Sequence, residues 1–309
     1  MSGAPDLREV VPLPDEVIQA GLDGNLILFV GAGVSRLLGL PSWRGLAERV
    51  LEDLRIHNYL NYSEIEQLQT QDAKKQLSIA RLIAEENDFD LNICQHLKGR
   101  AEGDNIYKAI NDIGCSCVTT NYDELLSPRH FKSKDGSETS APTNRVSEKE
   151  KFFAQLLNEP GTVVHLHGCV SKPETMVVTT KEYLEHYDHD HVQQFLGELF
   201  RRKTVVFLGY GLEESEILEH ILRRGQVKQT GDRRRFAVQG FFRSQQPLYD
   251  KLHNYYEKSF GVHLLGFIRD HENYMGLEAT VKSWVSRIEI RKPPLVADKE
   301  FMDEVLGHE

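Results

Sequence analysis

Five apolar residues, Leu26-Ile27-Leu28-Phe29-Val30, run without a break into Gly31-Ala32-Gly33. A strand wetted on one face alternates apolar and polar side chains. A strand apolar at every position needs cover on both faces, as in a parallel sheet between two helical layers. Similar runs recur at residues 115–119, 162–166, 205–208, 236–239 and 262–266. Helical patterns lie between several of them: Ile217, Leu218, Ile221 and Leu222 share a face, as do Leu277, Val281, Trp284, Val285 and Ile288. This alternation predicts an α/β fold, a doubly wound parallel (Rossmann-like) sheet. One stretch, about 56–112, has helical patterning and no convincing strand, and reads as a helical insertion. Residues 133–144 (SKDGSETSAPTN) are polar and turn-rich and read as a surface loop. The predicted organisation is one domain over 1–290 and a C-terminal tail over 291–309.

Composition narrows the partners. The 309 residues carry 37 Lys+Arg against 47 Asp+Glu, a net charge of −10. The basic clusters are short (Arg201-Arg202-Lys203, Arg223-Arg224, Arg233-Arg234-Arg235) and read as solvated helix ends and loops, so direct nucleic-acid binding is not expected. No apolar run approaches the roughly 18 residues of a membrane span. The N-terminus has no basic region leading into an apolar segment, so a signal peptide is not expected. Four cysteines are too few for a disulfide scaffold in a chain of this length, which points to a reducing, cytoplasmic setting.

The first strand leads into Gly31-Ala32-Gly33-Val34-Ser35 and a helix. Two glycines after a strand let backbone approach a diphosphate, and free N–H groups at a helix start favour its charge. A plain glycine turn would satisfy the same residues. The dehydrogenase fingerprint is broken: Arg36 stands at the third glycine, and no strand ending in Asp or Glu follows about 20 residues on. Three further strand ends carry polar or glycine motifs: Thr119-Thr120-Asn121-Tyr122-Asp123, His165-Leu166-His167-Gly168 and Leu208-Gly209-Tyr210-Gly211-Leu212.

Together with Pro41-Ser42-Trp43-Arg44, these motifs resemble, in order, those of the sirtuin family. The resemblance is greatest to its zinc-free, NAD-hydrolase branch in bacterial antiphage defence proteins, and runs from about residue 24 to 288. It implies NAD as substrate, in a cleft at the carboxyl ends of the strands. Gly31, Ala32, Gly33 and Ser35 would then cradle the diphosphate, and Gly209 and Gly211 would lie under the adenosine half. Asn121 and Asp123 would face the nicotinamide ribose, His167 the ribose hydroxyls or the nucleophile, and Arg44 would flank the nicotinamide pocket. The sirtuin pattern has Asp where Ser42 stands and Gln where Thr120 stands.

The chemistry is coherent with those residues. Nicotinamide leaves as a neutral ring, so no general acid is needed. What is needed is an oriented nucleophile and a proton acceptor, with Asn121 and His167 as the catalytic candidates. His165, two residues earlier on the same strand face, reads as structural. The zinc module of protein deacylases is missing: there is no Cys-x-x-Cys, and Cys115-Ser116-Cys117 has the wrong spacing. No metal is therefore expected, and the His186, His189 and His191 run reads as a solvated helix start. Water becomes the expected acceptor. The expected function is an NAD hydrolase releasing nicotinamide and ADP-ribose, an antiphage effector gated by homo-oligomerisation or by a separate ATPase or sensor partner. A deacylase or ADP-ribosyltransferase, and a non-catalytic NAD- or ADP-ribose-sensing subunit, are the alternatives.

Overall fold

Every residue of the first strand, β1 (Leu26–Val30), is buried, and its side chains divide between two cores. Leu26, Leu28 and Val30 belong to one apolar cluster, Ile27 and Phe29 to the other. A period-two division with no polar position is what a strand covered on both faces requires. The computed structural model describes residues 6–99, 102–128, 130–132, 138–140, 143–212, 215–224, 233–269 and 274–291.

In chain order the strands are β1, β2 (Ser116–Thr119), β3 (His130–Lys132), β4 (Glu138–Ser140), β5 (Asn144–Val146), β6 (Thr162–His165), β7 (Thr204–Leu208), β8 (Arg235–Phe241) and β9 (His263–Ile268). Seven form one sheet in the order β5-β6-β2-β1-β7-β8-β9, and every pairing in it is parallel. The fold is therefore α/β with a Rossmann-like parallel sheet, as its apolar runs predict. The chain starts at the centre, builds one side through β2, then crosses to β7. The topological switch lies at the carboxyl end of β1, between its neighbours β2 and β7, where such sheets hold ligands.

The helices are α1 (Asp15–Leu22), α2 (Ala32–Arg36), α3 (Trp43–Ile56), α4 (Tyr62–Leu68), α5 (Ala73–Glu86), α6 (Ile106–Ile113), α7 (Thr180–Tyr187), α8 (Asp190–Arg202), α9 (Ser215–Arg224), α10 (Gln246–Phe260) and α11 (Met275–Val285). Helices α1, α6 and α11 cover one face of the sheet through Val17, Ile106, Ile110, Leu277 and Trp284. Helices α8, α9 and α10 cover the other through Phe195, Leu199, Phe200, Ile217 and Tyr249. A third cluster joins α3, α4 and α5 (Leu46, Val50, Leu54, Ile65, Leu77, Ala80) to Tyr122, Met176 and Val178 beside the strand ends. No strand occurs among the described residues of 56–112.

Two local readings are corrected. The 133–144 stretch is not simply a loop: Glu138–Ser140 pairs antiparallel with His130–Lys132, and Asn144 opens edge strand β5. Residues 133–137 and 141–142 lie outside the described residues, as do 292–309 of the expected tail. His186 is not at a solvated helix start. It is buried in the last turn of α7, while His189 caps α8 by accepting from His191 N–H. Burial, then the Lys149 and His189 charges, pushes the His186 pKa down to about 3.

Candidate active site

The floor of the switch-point crevice is backbone on backbone. Gly31 and Gly33, at the turn from β1 into α2, lie against Gly209, just after β7. A Cβ at Gly31 or at Gly33 would sit 2.7 Å from the Gly209 carbonyl oxygen. Gly209 itself has φ +61°, and a Cβ there would lie 2.5 Å from Val34 N. Two hydrogen bonds close the contact: Gly31 N–H to Leu208 O (2.9 Å) and Gly33 N–H to Gly209 O (2.8 Å). The glycines thus let two strand ends meet at a distance no side chain tolerates.

Above this floor Ser35 is the hub of a buried polar network. Its hydroxyl donates to Asp123 Oδ2 (2.7 Å), accepts from Asn121 Nδ2 (2.8 Å) and lies 2.8 Å from the Tyr107 hydroxyl. Tyr107 also donates to Asp123 Oδ2 (3.0 Å). Burial first, and the Asp123 charge second, hold the Tyr107 pKa well above the ordinary phenol value, so it remains a donor. Asn121 is anchored three ways. Its N–H donates to Thr119 Oγ1 (3.0 Å), its amide nitrogen reaches Gly31 O (3.1 Å), and its carbonyl meets His165 Nδ1 at 3.1 Å. Thr119 in turn donates to Val30 O (2.8 Å), which ties β2 to β1 at the same level.

With the Asn121 amide nitrogen pointing at a carbonyl, the amide orientation is fixed and its Oδ1 faces away. That oxygen is buried and has no hydrogen-bond partner. An orphaned buried acceptor is costly, about 1–3 kcal/mol, unless something else supplies the donor. Asn121 lines a cleft with Ala32, Ser35, Pro41, Trp43 and Asp123. The Ser35 hub and the unpartnered oxygen make this part of the cleft wall polar.

Of the predicted site residues, Gly31, Ala32, Gly33, Ser35, Asn121, Asp123 and Gly209 converge here. Gly211 follows in the same turn, exposed, its carbonyl 3.4 Å from Gln239 Nε2. Two predicted residues stand apart. Arg44 points to solvent and pairs with Glu48 at 3.1 Å; the cleft wall at this point is Trp43. His167 is fully buried, outside the residues lining the cleft, with Nε2 2.8 Å from the Tyr187 hydroxyl and Nδ1 3.2 Å from that of Tyr183. Its ring centroid is 4.8 Å from that of Tyr183, which is 5.9 Å from that of Trp43. Tyr183 thus packs against both His167 and Trp43 of the cleft wall. Burial above all, then His186 and Lys74, holds its pKa well below the usual value and keeps the ring neutral.

Tyr107 and Trp43 are the site residues that sequence reasoning passes over. Trp43 adjoins Arg44 inside Pro41-Ser42-Trp43-Arg44, so its motif was visible, whereas Tyr107 reads as an ordinary core position of α6. Ser42 accepts from Gly45 N–H (3.1 Å) and so caps α3, a task that Asp, the residue of the sirtuin pattern, does equally well.

Residues 116–265 match the family model of the SIR2-like domain. Over that stretch, just under half of its length, the chain is similar to the SIR2-like domain. The matched stretch begins at β2 and ends within β9, so the glycine turn and Trp43 stand upstream of it. Curated relatives extend the likeness. The NAD(+) hydrolase ThsA of Cytobacillus dafuensis is 25% identical over 225 residues, covering 69% of this chain and 40% of the relative. Defense-associated sirtuin 2 of Bacillus subtilis is 26% identical over 218 residues, covering 68% and 20%. The NAD(+) hydrolase ThsA of Acinetobacter baumannii is 24% identical over 220 residues, covering 69% and 42%. The chain thus spans less than half the length of these relatives. The matched stretch contains the Asn121 strand end and the Gly209 turn, while Ala32, Ser35 and Trp43 of the cleft lie upstream of it. No helix among the described residues is long and apolar enough to cross a membrane.

Proposed function

We propose that this protein hydrolyses NAD at the bond between nicotinamide and ribose. The observation that carries the reading is the unpartnered, buried Oδ1 of Asn121, a residue that lines a cleft together with Ala32 and Ser35 of the helix that follows Gly31. The turn and the start of α2 would take the diphosphate. Asn121 Oδ1 would accept from a ribose hydroxyl or the attacking water, while Ser35 and Asp123 fix the amide in that pose. Water adds to C1′ as the C1′–N bond breaks and its electron pair moves onto the ring nitrogen. Nicotinamide leaves neutral, the water proton passes to a base, and ADP-ribose and one proton are released. His167 is the proposed base, and it meets water only once Trp43 and Tyr183 move aside. Two of the relatives carry the activity in their names, and the third is named for defence.

This reading makes the protein a cytoplasmic antiphage effector that depletes NAD without a metal. An enzyme of this kind left permanently on would drain its own cell. We therefore place its control in homo-oligomerisation or a separate ATPase or sensor partner. The test is nicotinamide and ADP-ribose release from NAD across size-resolved fractions of the purified protein. Asn121→Ala should remain folded and fall about 10²–10⁴-fold, the usual cost of a lost catalytic group. The burial of His167 favours a second reading, NAD binding without turnover. Saturable binding with no nicotinamide from any assembly state would select that second reading.

A further inference from the structure

At the opposite end of the sheet from the cleft, α10 and β9 bring three ligand-type side chains together. His253 and Glu257 are one helical turn apart on α10, so they share a face. Gly261, in the left-handed conformation (φ 62°), ends that helix and folds the chain back. His263 is then the first residue of β9. Glu257 Oε2 lies 3.8 Å from His253 Nδ1, and Glu257 Oε1 lies 3.9 Å from His263 Nδ1. The two imidazole centroids are 4.8 Å apart. One donor atom from each of the three residues falls within 4.8 Å of the other two.

A second observation is independent of that proximity. His253 is 4% exposed, and neither of its ring nitrogens has a hydrogen-bond partner; His263 Nδ1 has none either. Three buried imidazole nitrogens without partners in one spot are unusual, because buried polar atoms are nearly always satisfied. They do not satisfy each other, since every nitrogen-to-carboxylate separation exceeds hydrogen-bonding distance.

We propose that His253, Glu257 and His263 bind a divalent transition-metal ion, with zinc the best fit. Bonds of about 2.0–2.1 Å to imidazole nitrogen and carboxylate oxygen put tetrahedral ligands roughly 3.3–3.5 Å apart. The three donor atoms, all within 4.8 Å of one another, reach that by inward side-chain rotation of the carboxylate and the imidazoles. Two imidazoles select zinc or its neighbours over calcium or magnesium, which take oxygen ligands. Arg233 Nη2 lies 3.8 Å from Glu257 Oε1 and is the cation that the metal displaces. Three protein ligands leave a fourth position for water. Because His263 begins its strand while the cleft lies at the strands' carboxyl ends, the ion fastens the α10–β9 turn and takes no part in cleavage. The absence of paired cysteines excludes the familiar zinc module, and this site needs none: its ligands are His-x3-Glu on a helix and a histidine on the next strand.

The experiment uses protein expressed without a histidine tag, stripped with chelator and titrated with zinc chloride against a chromophoric competitor. The expected result is one zinc ion per chain at micromolar or tighter affinity, with a rise in melting temperature on saturation. Cobalt should give the intense visible bands of a tetrahedral site. Glu257→Gln and His263→Gln should each weaken zinc binding at least about tenfold. Glu257 is exposed, so that variant tests the site even if the histidine variant fails to fold. Less than half an equivalent of zinc at saturation overturns the proposal. So does zinc affinity unchanged in Glu257→Gln, which would put the ion elsewhere on the chain. NAD turnover is a separate readout and can fail without bearing on this one.

Discussion

Asn121 commits both of its amide hydrogens to this protein, one to Gly31 O and one to Ser35 Oγ, and leaves its buried oxygen without a partner. The residue next to Gly31 must therefore donate. Asn121→Asp removes those donors and sets a second carboxylate near Asp123 and the Gly31 carbonyl, costing about 1–3 kcal/mol more than Asn121→Ala at pH 7. The introduced carboxyl has a folded pKa raised above its unfolded one. Its penalty is therefore present above the unfolded value and shrinks as pH falls. Urea midpoints for both variants at pH 7 and pH 4.5 check this; a gap that does not narrow counts against the geometry. Tyr107→Phe takes one hydroxyl from the Ser35–Asp123 network and should cost about 0.5–1.5 kcal/mol without unfolding the chain. Asn121 and Asp123 were legible because their strand end takes its place in the ordered set of motifs that resembles the sirtuin pattern. Tyr107 was not, because its hydroxyl reaches Ser35 only after α6 has packed across β1 and β2.

At the scale of elements, α3 delivers Trp43 to the cleft wall, with Ser42 as its cap. The chain has two tryptophans, and Trp284 is buried at 1% exposure with its indole N–H on Val11 O (3.0 Å). Only Trp43 is placed to sense a ligand. Adding NAD should change the intrinsic fluorescence of the wild type, and Trp43→Phe should abolish that change. An undiminished response in the variant would place the ligand elsewhere. The central strands were readable because burial on both faces demands an unbroken apolar run, and β1, β6, β7, β8 and β9 all lie where those runs lie. Strand β5 was missed for the converse reason. Asn144-Arg145-Val146 is a three-residue edge with one apolar side chain, and Arg145 turns back to the carbonyls of Glu124 and Leu126. Its pairing is dictated by β6, which no local pattern announces. The His253–His263 cluster was hidden in the same way, by a helix end and a turn between its members.

Across the whole molecule, buried neutral histidines set the acid limit of stability. His186 has a folded pKa of about 3 against an ordinary 6.5. As pH falls below 6.5 the unfolded chain takes up a proton that the folded chain refuses, so stability is lost progressively from about 6.5 towards 3. Between pH 7 and pH 5 this single group should cost about 2 kcal/mol. Guanidinium midpoints at the two pH values measure the loss, and His186→Gln should remove that share of it; an equal slope in the variant would be the contrary result. The glycine floor has a consequence of another kind, for the order of events during synthesis. Gly31 and Gly33 emerge from the ribosome early, but the strand end they rest on, Leu208-Gly209, comes long after. At about 5–20 residues per second, the nascent chain spends seconds with its glycine turn complete in sequence and unsupported in space. The β1–β7 contact beneath the cleft is thus completed only after residue 209 has been made, and a chain whose translation stops before β7 leaves Gly31 and Gly33 without the backbone they rest on.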